Sequence, residues 1–359
     1  MKRLRLVIDD KIPYLRGEAE RIGETVYLPG ASITAADVRR ADALIVRTRT
    51  RCDRALLEGS AVRLVVTATI GFDHIDTDYL RTAGIAWTNC PGCNAGSVAQ
   101  YVEAVLLLLE AKGMWDIPGY RPVVGIIGVG HVGSQVADRA RRLGLRVLLC
   151  DPPRVAAGNF PPGISADDFC SQELIEREAD VITLHVPLTT CGPHATCHLA
   201  DDAFFGRLAR KPVFINTSRG EVADTQALCR ALDTGCVRQA VIDTWENEPR
   251  IDRGLLSRVL IGTPHIAGYS ADGKANGTRM ALEAVARHFG LPCDFRIQPP
   301  ALPQGFRYDS RPDDDLAEAI PRLRLYDPRR DSRELKQDPD AFERLRGNYP
   351  LRREHSGTL

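Results

Sequence analysis

The sequence has no excess of charge of either sign: Lys+Arg and Asp+Glu both number 47 in 359 residues. A formal net charge of zero gives no electrostatic ground for expecting nucleic acid or another polyanion as partner. Long apolar runs are missing too. The longest, residues 105–109 with Val102 and Ala104 ahead of it, falls far short of the roughly 20 residues a membrane-spanning helix needs. Residues 1–10 carry a short apolar run that ends at Asp9 and Asp10, which reads as a first strand and not as a signal peptide. A cytoplasmic protein without a membrane partner is expected.

Paired cysteine motifs are also lacking. The ten cysteines are scattered, which argues for reduced thiols and against a disulfide framework. Cys90-Pro91-Gly92-Cys93 has redox-motif spacing, but no second CxxC completes a zinc site, and Pro and Gly there suit a turn. His185, His194 and His198 are the nearest candidate metal set, interrupted by Gly192-Pro193, so no metal is expected. No internal repeat is apparent.

What the sequence does contain is alternation of strand and helix. The length suits two or three packed domains. Residues 4–8, 43–47, 64–68 and 85–88 are short apolar runs fit for a buried parallel sheet, with helical turns at 37–41 and 53–57. Residues 94–111 carry Val98, Tyr101, Val102, Val105, Leu108 and Leu109 at helical spacing. Strands then follow at 123–128, 146–150, 181–185, 213–216, 240–243 and 259–262, predicting a doubly wound sheet.

A helix at 274–289 is expected to return to the first domain. The fold class is therefore α/β, two doubly wound parallel-sheet domains plus a small carboxyl-terminal module. The expected boundaries are 1–93 with 269–290, 94–268, and 291–359. Pro292, Pro299, Pro300 and Pro303 mark a linker into the last segment, which is rich in Arg and Asp. That composition suits a solvated tail. Leu323, Leu325, Tyr326, Phe342, Leu345 and Tyr349 nevertheless offer apolar anchors for a subunit-contact module.

Gly128-Val129-Gly130-His131-Val132-Gly133 matches G-x-G-x-x-G after an apolar strand and before a helix expected at 134–143. Glycines there let the backbone approach a pyrophosphate at the helix amino terminus. Asp151 ends the next strand 18 residues after Gly133, where a carboxylate can accept hydrogen bonds from ribose hydroxyls. It would repel a 2′-phosphate, so the expected cofactor is NAD, although Arg154 is a residue type that can accommodate that phosphate.

Three charged residues follow expected strand ends in the same domain: Arg219, Glu248 and His265. Singly they suit a turn, a solvent loop and a core histidine. Together they suit hydride transfer. A guanidinium can pair with a carboxylate and polarise the C2 oxygen, an imidazole can take the hydroxyl proton, and a carboxylate can orient that imidazole.

The glycine motif, Asn216-Thr217-Ser218-Arg219-Gly220, Asp243-x-Trp245-Glu246-x-Glu248-Pro249 and Pro264-His265-Ile266-Ala267-Gly268 resemble the signatures of the D-isomer-specific 2-hydroxy acid dehydrogenases. Ile70-Gly71-Phe72-Asp73-His74-Ile75-Asp76 resembles that family's substrate-domain loop. A narrower likeness lies in Pro91-Gly92-Cys93-Asn94-Ala95, Cys150-Asp151-Pro152-Pro153, His265-Ile266-Ala267-Gly268-Tyr269-Ser270 and Tyr326-Asp327-Pro328-Arg329-Arg330-Asp331. These are similar to the branch that oxidises 4-phospho-D-erythronate to (R)-3-hydroxy-2-oxo-4-phosphobutanoate in pyridoxal 5′-phosphate synthesis.

The resemblance implies that Arg219 binds and polarises substrate, Glu248 supports the histidine and His265 transfers the proton. It implies Asp243 and Gly268 at the nicotinamide, and His131, Val132, Val186, Thr217 and Ser218 along the cofactor. Thr48, Thr69 and Tyr269 would contact substrate, a homodimer would form through the carboxyl-terminal module, and charge alone suggests Arg47 or Arg49 for the 4-phosphate. Val186 stands where that branch has threonine, Gln100 where it has glutamate, and the chain stops soon after Arg352-Arg353-Glu354, where the branch adds another strand and helix. Two other readings stay open: a dehydrogenase of another D-2-hydroxy acid such as phosphoglycerate, and an NAD-sensing corepressor on the same fold.

Overall fold

The computed structural model describes residues 3–115, 119–308, 316 and 320–355. The chain divides into two compact units, Met1–Asn94 with Ser270–Ala301 and Ala95–Tyr269 with Leu302–Leu359.

In the first unit five short strands, β1 (Leu4–Asp9), β2 (Gly23–Leu28), β3 (Ala43–Val46), β4 (Leu64–Thr67) and β5 (Ala86–Thr88), form a parallel sheet in the order β2-β1-β3-β4-β5. Every residue of β3 and β4 is buried, which is why they read as unbroken apolar runs. The edge strand β2 escapes sequence reading because Gly23 and Glu24 open it and most of it stays half-buried. On one face Ala281, Leu282, Val285 and Ala286 of helix Ala271–Phe289 pack against Leu6, Ile8, Ile45 and Val66. Gly277 permits that approach, since a Cβ there would stand 2.9 Å from the Ala68 carbonyl oxygen. Val38, Leu56, Leu57 and Leu80 cover the other face.

The second unit is built on β6 (Val123–Ile127), β7 (Arg146–Cys150), β8 (Val181–Leu184), β9 (Val213–Asn216), β10 (Gln239–Ile242) and β11 (Ile261–Gly262), all parallel, in the order β11-β10-β9-β8-β6-β7. The chain leaves β6 for β7 on one side and later returns to β8 on the other. The carboxyl end of β6 is thus the switch point where an open parallel sheet binds its ligand. Helix Ala95–Ala111 is buried on nearly every side beside this sheet, so its sequence is apolar all round.

The Arg- and Asp-rich carboxyl-terminal segment is not a solvated tail where it is described. Helices Pro328–Gln337 and Phe342–Gly347 pack onto the second unit. Tyr308, Leu323 and Tyr326 share a core with Tyr101, Val102 and Ile266, and Leu335 and Phe342 share another with Trp245 and Leu256. Asp327, Asp331 and Arg352, which composition alone would send to the surface, are buried. Residues 309–315, 317–319 and 356–359 of the expected 291–359 module lie outside the described residues.

Candidate active site

Six consecutive strand ends carry the residues singled out from sequence. Gly128 follows β6, Asp151 follows β7, Val186 lies just past β8, Thr217 to Arg219 follow β9, Asp243 follows β10 and His265 lies just past β11.

The dinucleotide motif is built for close approach. Gly128 holds φ +90, and a Cβ on it would fall 2.6 Å from the His185 backbone. Gly133 lies in the first turn of helix His131–Arg142, which begins three residues before the expected start, and a Cβ on it would fall 2.0 Å from the Gly128 carbonyl oxygen. Gly130 differs: its Cβ would meet nothing within 4 Å except Arg154 Nη2 at 3.9 Å. Open space above Gly130 at a helix amino terminus is the cradle a pyrophosphate needs, so these residues fit NAD. Asp151 accepts the Val129 N–H at 2.8 Å and the Arg154 N–H at 3.1 Å, tying its carboxylate to the glycine loop.

His185 lies just past β8, with Thr183 Oγ1 3.0 Å from its Nε2 and Thr217 Oγ1 3.4 Å from its Nδ1. Burial pushes the His185 imidazole down to about 3, so it is neutral at physiological pH.

His265 and Glu248 meet directly: His265 Nδ1 donates to Glu248 Oε2 at 2.8 Å. Glu248 Oε1 accepts the Trp245 N–H at 2.9 Å. Burial would raise the Glu248 carboxyl. Its bond to His265, the charge of His265, the Trp245 N–H and the Arg346 guanidinium outweigh that and leave it lowered. Arg219 is half-buried in the turn after β9, where Asn216 Nδ2 donates to its carbonyl at 2.9 Å. The next residue must be glycine, because a Cβ on Gly220 would fall 2.0 Å from the Trp245 carbonyl. That contact presses the Arg219 turn against the loop that carries Glu248.

His265 sits at φ +54, a left-handed conformation that side chains seldom adopt. Asp243 fixes the loop in that shape. Its backbone oxygen accepts the His265 N–H at 2.8 Å, Oδ1 accepts Thr263 Oγ1 at 2.6 Å and the Ile266 N–H at 2.8 Å, and Oδ2 accepts the Ala267 N–H at 3.0 Å. A buried carboxylate thus organises the strand end on which the His265 imidazole stands.

Residues 117–267 match the D-isomer specific 2-hydroxyacid dehydrogenase, NAD binding domain. The erythronate-4-phosphate dehydrogenase of Bacteroides thetaiotaomicron is 53% identical over 353 residues, covering 98% of this chain and 97% of that one. The Porphyromonas gingivalis enzyme of the same name is 43% identical, covering 98% and 94%. This chain belongs to the erythronate-4-phosphate dehydrogenases. Among solved structures, a Thermus thermophilus protein superposes with a TM-score of 0.64 at 26% identity, covering 81% of this chain and 99% of that one. Aquifex aeolicus D-lactate dehydrogenase, solved with NAD and lactic acid, gives 0.61 at 24%, covering 80% and 96%, a likeness of fold alone.

Membership in the erythronate-4-phosphate dehydrogenases directs attention to the first unit's strand ends, where Arg47 and Thr48 follow β3 and Thr69 lies just past β4. Arg47 Nη1 donates to the Lys11 carbonyl at 2.6 Å. Thr69 Oγ1 donates to the Gly71 carbonyl at 3.0 Å and lies 2.8 Å from Thr67 Oγ1. Lys274, in the first turn of helix Ala271–Phe289, is held below the usual lysine range by burial and then by the Arg47 charge. Lys274 was missed in the sequence because a lysine on a helix reads as solvated.

In the second unit, Tyr269 stacks edge-on against Tyr349 with centroids 5.8 Å apart, and the Arg346 guanidinium lies 5.8 Å from its ring centroid. Cys90 and Cys93 are buried thiols; burial pushes the Cys90 thiol up, and its Sγ donates to the Gly277 carbonyl at 3.3 Å. His198 pairs with Glu246 at 2.8 Å. Among the described residues no group of three or more His, Cys, Asp or Glu could hold a metal, and no helix is long and apolar enough to cross a membrane.

Proposed function

We propose that the chain oxidises 4-phospho-D-erythronate to (R)-3-hydroxy-2-oxo-4-phosphobutanoate for pyridoxal 5′-phosphate synthesis, with Arg219, Glu248 and His265 as its chemical machinery. The observation that carries this reading is the 2.8 Å bond between His265 and Glu248 at a strand end of the sheet that also carries a complete dinucleotide motif, in a chain 53% identical to an erythronate-4-phosphate dehydrogenase.

Bound NAD would accept the hydride from substrate C2. With Nδ1 donating to Glu248, His265 presents Nε2 to take the proton of the C2 hydroxyl as that hydride departs. The guanidinium of Arg219 pairs with the substrate carboxylate and polarises the C2 oxygen. Gly128, Gly130, His131, Val132 and Gly133 hold the pyrophosphate side, Asp151 the ribose, Val186, Thr217 and Ser218 the cofactor's length, and Asp243 and Gly268 the nicotinamide end. Thr48, Thr69 and Tyr269 contact substrate, and Arg47 pairs with its 4-phosphate. A cytoplasmic homodimer completes the proposal, and sedimentation velocity tests the dimer.

The deciding assay is NADH formation by the purified protein with 4-phospho-D-erythronate beside D-3-phosphoglycerate and D-lactate. A parallel reaction contains a 2-oxo acid to reoxidise tightly held cofactor. Activity confined to the first substrate and lost in His265→Ala supports the reading. Preference for another acid discards the substrate, and NAD binding without any turnover favours the sensor.

A further inference from the structure

The catalytic loop has two polar edges, and the second is held by a residue from the carboxyl-terminal segment. Asp243 takes the loop's N–H groups. The carbonyls of Ile266 and Ala267 accept instead from Arg352 Nη1, at 3.3 and 3.2 Å. The same guanidinium donates through Nη2 to the Ser97 carbonyl at 2.5 Å and through Nε to Gln100 Oε1 at 2.9 Å, and it stacks 3.5 Å from the Tyr326 ring centroid. Arg352 is fully buried, 0% exposed. An unpaired buried charge costs far more than a satisfied one, and here each donor nitrogen of the fork has an acceptor.

We propose that Arg352 is a positioning residue for the proposed reaction: its guanidinium clamps the backbone immediately after His265 from the side opposite Asp243. The inference rests on His265 being the proton-transferring group.

Its physical basis is the geometry of the loop. A histidine at φ +54 persists only where its surroundings over-determine it. Asp243 fixes the donors of residues 265, 266 and 267, and those bonds alone leave the peptide planes free to tilt about the carboxylate. Fixing the carbonyls of residues 266 and 267 removes that freedom. It also anchors the loop to helix Ala95–Ala111 through Ser97 and Gln100. Misplacement of a catalytic group by about 1 Å can cost on the order of a hundredfold in rate. The segment credited from resemblance with subunit contact therefore also sets the catalytic geometry of its own chain.

The test compares Arg352→Met and Arg352→Lys with Asp327→Asn, which disturbs the ion pair between the equally buried Asp327 carboxylate and the partly exposed Arg329 in the same segment without touching the loop. Readouts are NAD affinity by fluorescence, kcat, KM, the pH–rate profile and Tm. The expected result is that Arg352→Met binds NAD as the parent does, loses at least tenfold in kcat and changes its pH–rate profile, while Arg352→Lys recovers part of the loss. Asp327→Asn lowers Tm but keeps the parent profile.

Should Arg352→Met fail to fold, Arg352→Lys measured below its own Tm decides. A lowered kcat with an altered profile supports the clamp; a kcat that tracks only the folded fraction, as for Asp327→Asn, overturns it. A fully active Arg352→Met also overturns it. His265→Ala in the same assay separates the two ideas. Full turnover there fails the role of His265, whereas lost turnover there beside an unaffected Arg352→Met fails the clamp alone.

Discussion

Glu248 and His265 share a hydrogen bond of 2.8 Å, and the carboxylate is held on its other oxygen by the Trp245 N–H at 2.9 Å. Glu248 therefore fixes the ring plane and, in the proposed mechanism, leaves Nε2 to face the C2 hydroxyl. Proton transfer by a positioned side chain is worth about 10²- to 10⁴-fold, so His265→Ala should lose about that factor in kcat. Glu248→Gln should lose about 10- to 1000-fold, since the amide cannot stabilise an imidazolium as a carboxylate does. The Glu248 carboxyl is lowered in the fold, so its stabilising bond is present above the ordinary carboxylate range and lost as pH falls through the lowered value. Steady-state kinetics of the two variants across pH check both points.

Much of this candidate site was legible in the sequence because its residues sit at strand ends. Gly128, Asp151, Arg219 and His265 each follow an apolar run whose length identifies a buried strand, and strand ends of a parallel sheet face the ligand. The edge strand Gly23–Leu28 was not legible, since a half-buried strand opening with Gly and Glu lacks the apolar run. Nor was the burial of Asp331 and Arg352, for composition reports average solvation and says nothing about a particular charge that finds four acceptors. Gln100 is a middle case. It stands out only as a departure from a family pattern, yet Oε1 accepts from Arg352 Nε at 2.9 Å and Nε2 donates to the Arg353 carbonyl at 2.9 Å. A glutamate there would keep the first bond and lose the second donor.

Two of the three motif glycines should separate by function. A Cβ on Gly133 would collide with the Gly128 carbonyl oxygen at 2.0 Å, so Gly133→Ala must shift backbone and should destabilise the unit by about 1 to 3 kcal/mol. A Cβ on Gly130 has room, with only Arg154 Nη2 at 3.9 Å, so Gly130→Ala should keep its Tm to within a degree or two. The methyl would instead occupy the space the pyrophosphate needs, and KM for NAD should rise at least about tenfold, on the order of one lost charge-assisted hydrogen bond. Differential scanning fluorimetry and NAD titration distinguish the two variants.

Asp331 predicts an inverted pH dependence. It is buried against the hydroxyls of Tyr308, Tyr326 and Tyr349, with Arg352 and Arg330 nearby. Burial pushes its carboxyl up from 3.8 to about 7 despite those hydrogen bonds and cations. Between those values the unfolded chain releases the proton while the folded chain keeps it, so the unfolded state binds fewer protons and stability falls as pH rises, by on the order of 1 kcal/mol per pH unit. Above about 7 the penalty is complete, and below the unfolded value it vanishes. Asp331→Asn removes this titration. Its urea midpoint should therefore fall less than the parent's between pH 4 and 7, and equal slopes for the two proteins would contradict the assignment.

Arg47 and Lys274 bring two positive charges together in the first unit, where burial and then the Arg47 charge disfavour the charged form of Lys274. Like charges held this close gain from an anion that pairs with both, and a phosphate offers the oxygens to do so. Helix Ala271–Phe289 adds its amino-terminal dipole, since Lys274 lies in the first turn. Arg47→Ala and Lys274→Ala should each raise KM for 4-phospho-D-erythronate about 10- to 100-fold, the equivalent of about 1.5 to 3 kcal/mol for a hydrogen bond to a charged group. Turnover of unphosphorylated D-erythronate, having no phosphate to lose, should keep its KM within about twofold. Parallel KM increases for both substrates would place the two cations in the architecture of the unit and not at the phosphate. An increase confined to the phosphorylated acid would identify the residues by which this dehydrogenase selects it.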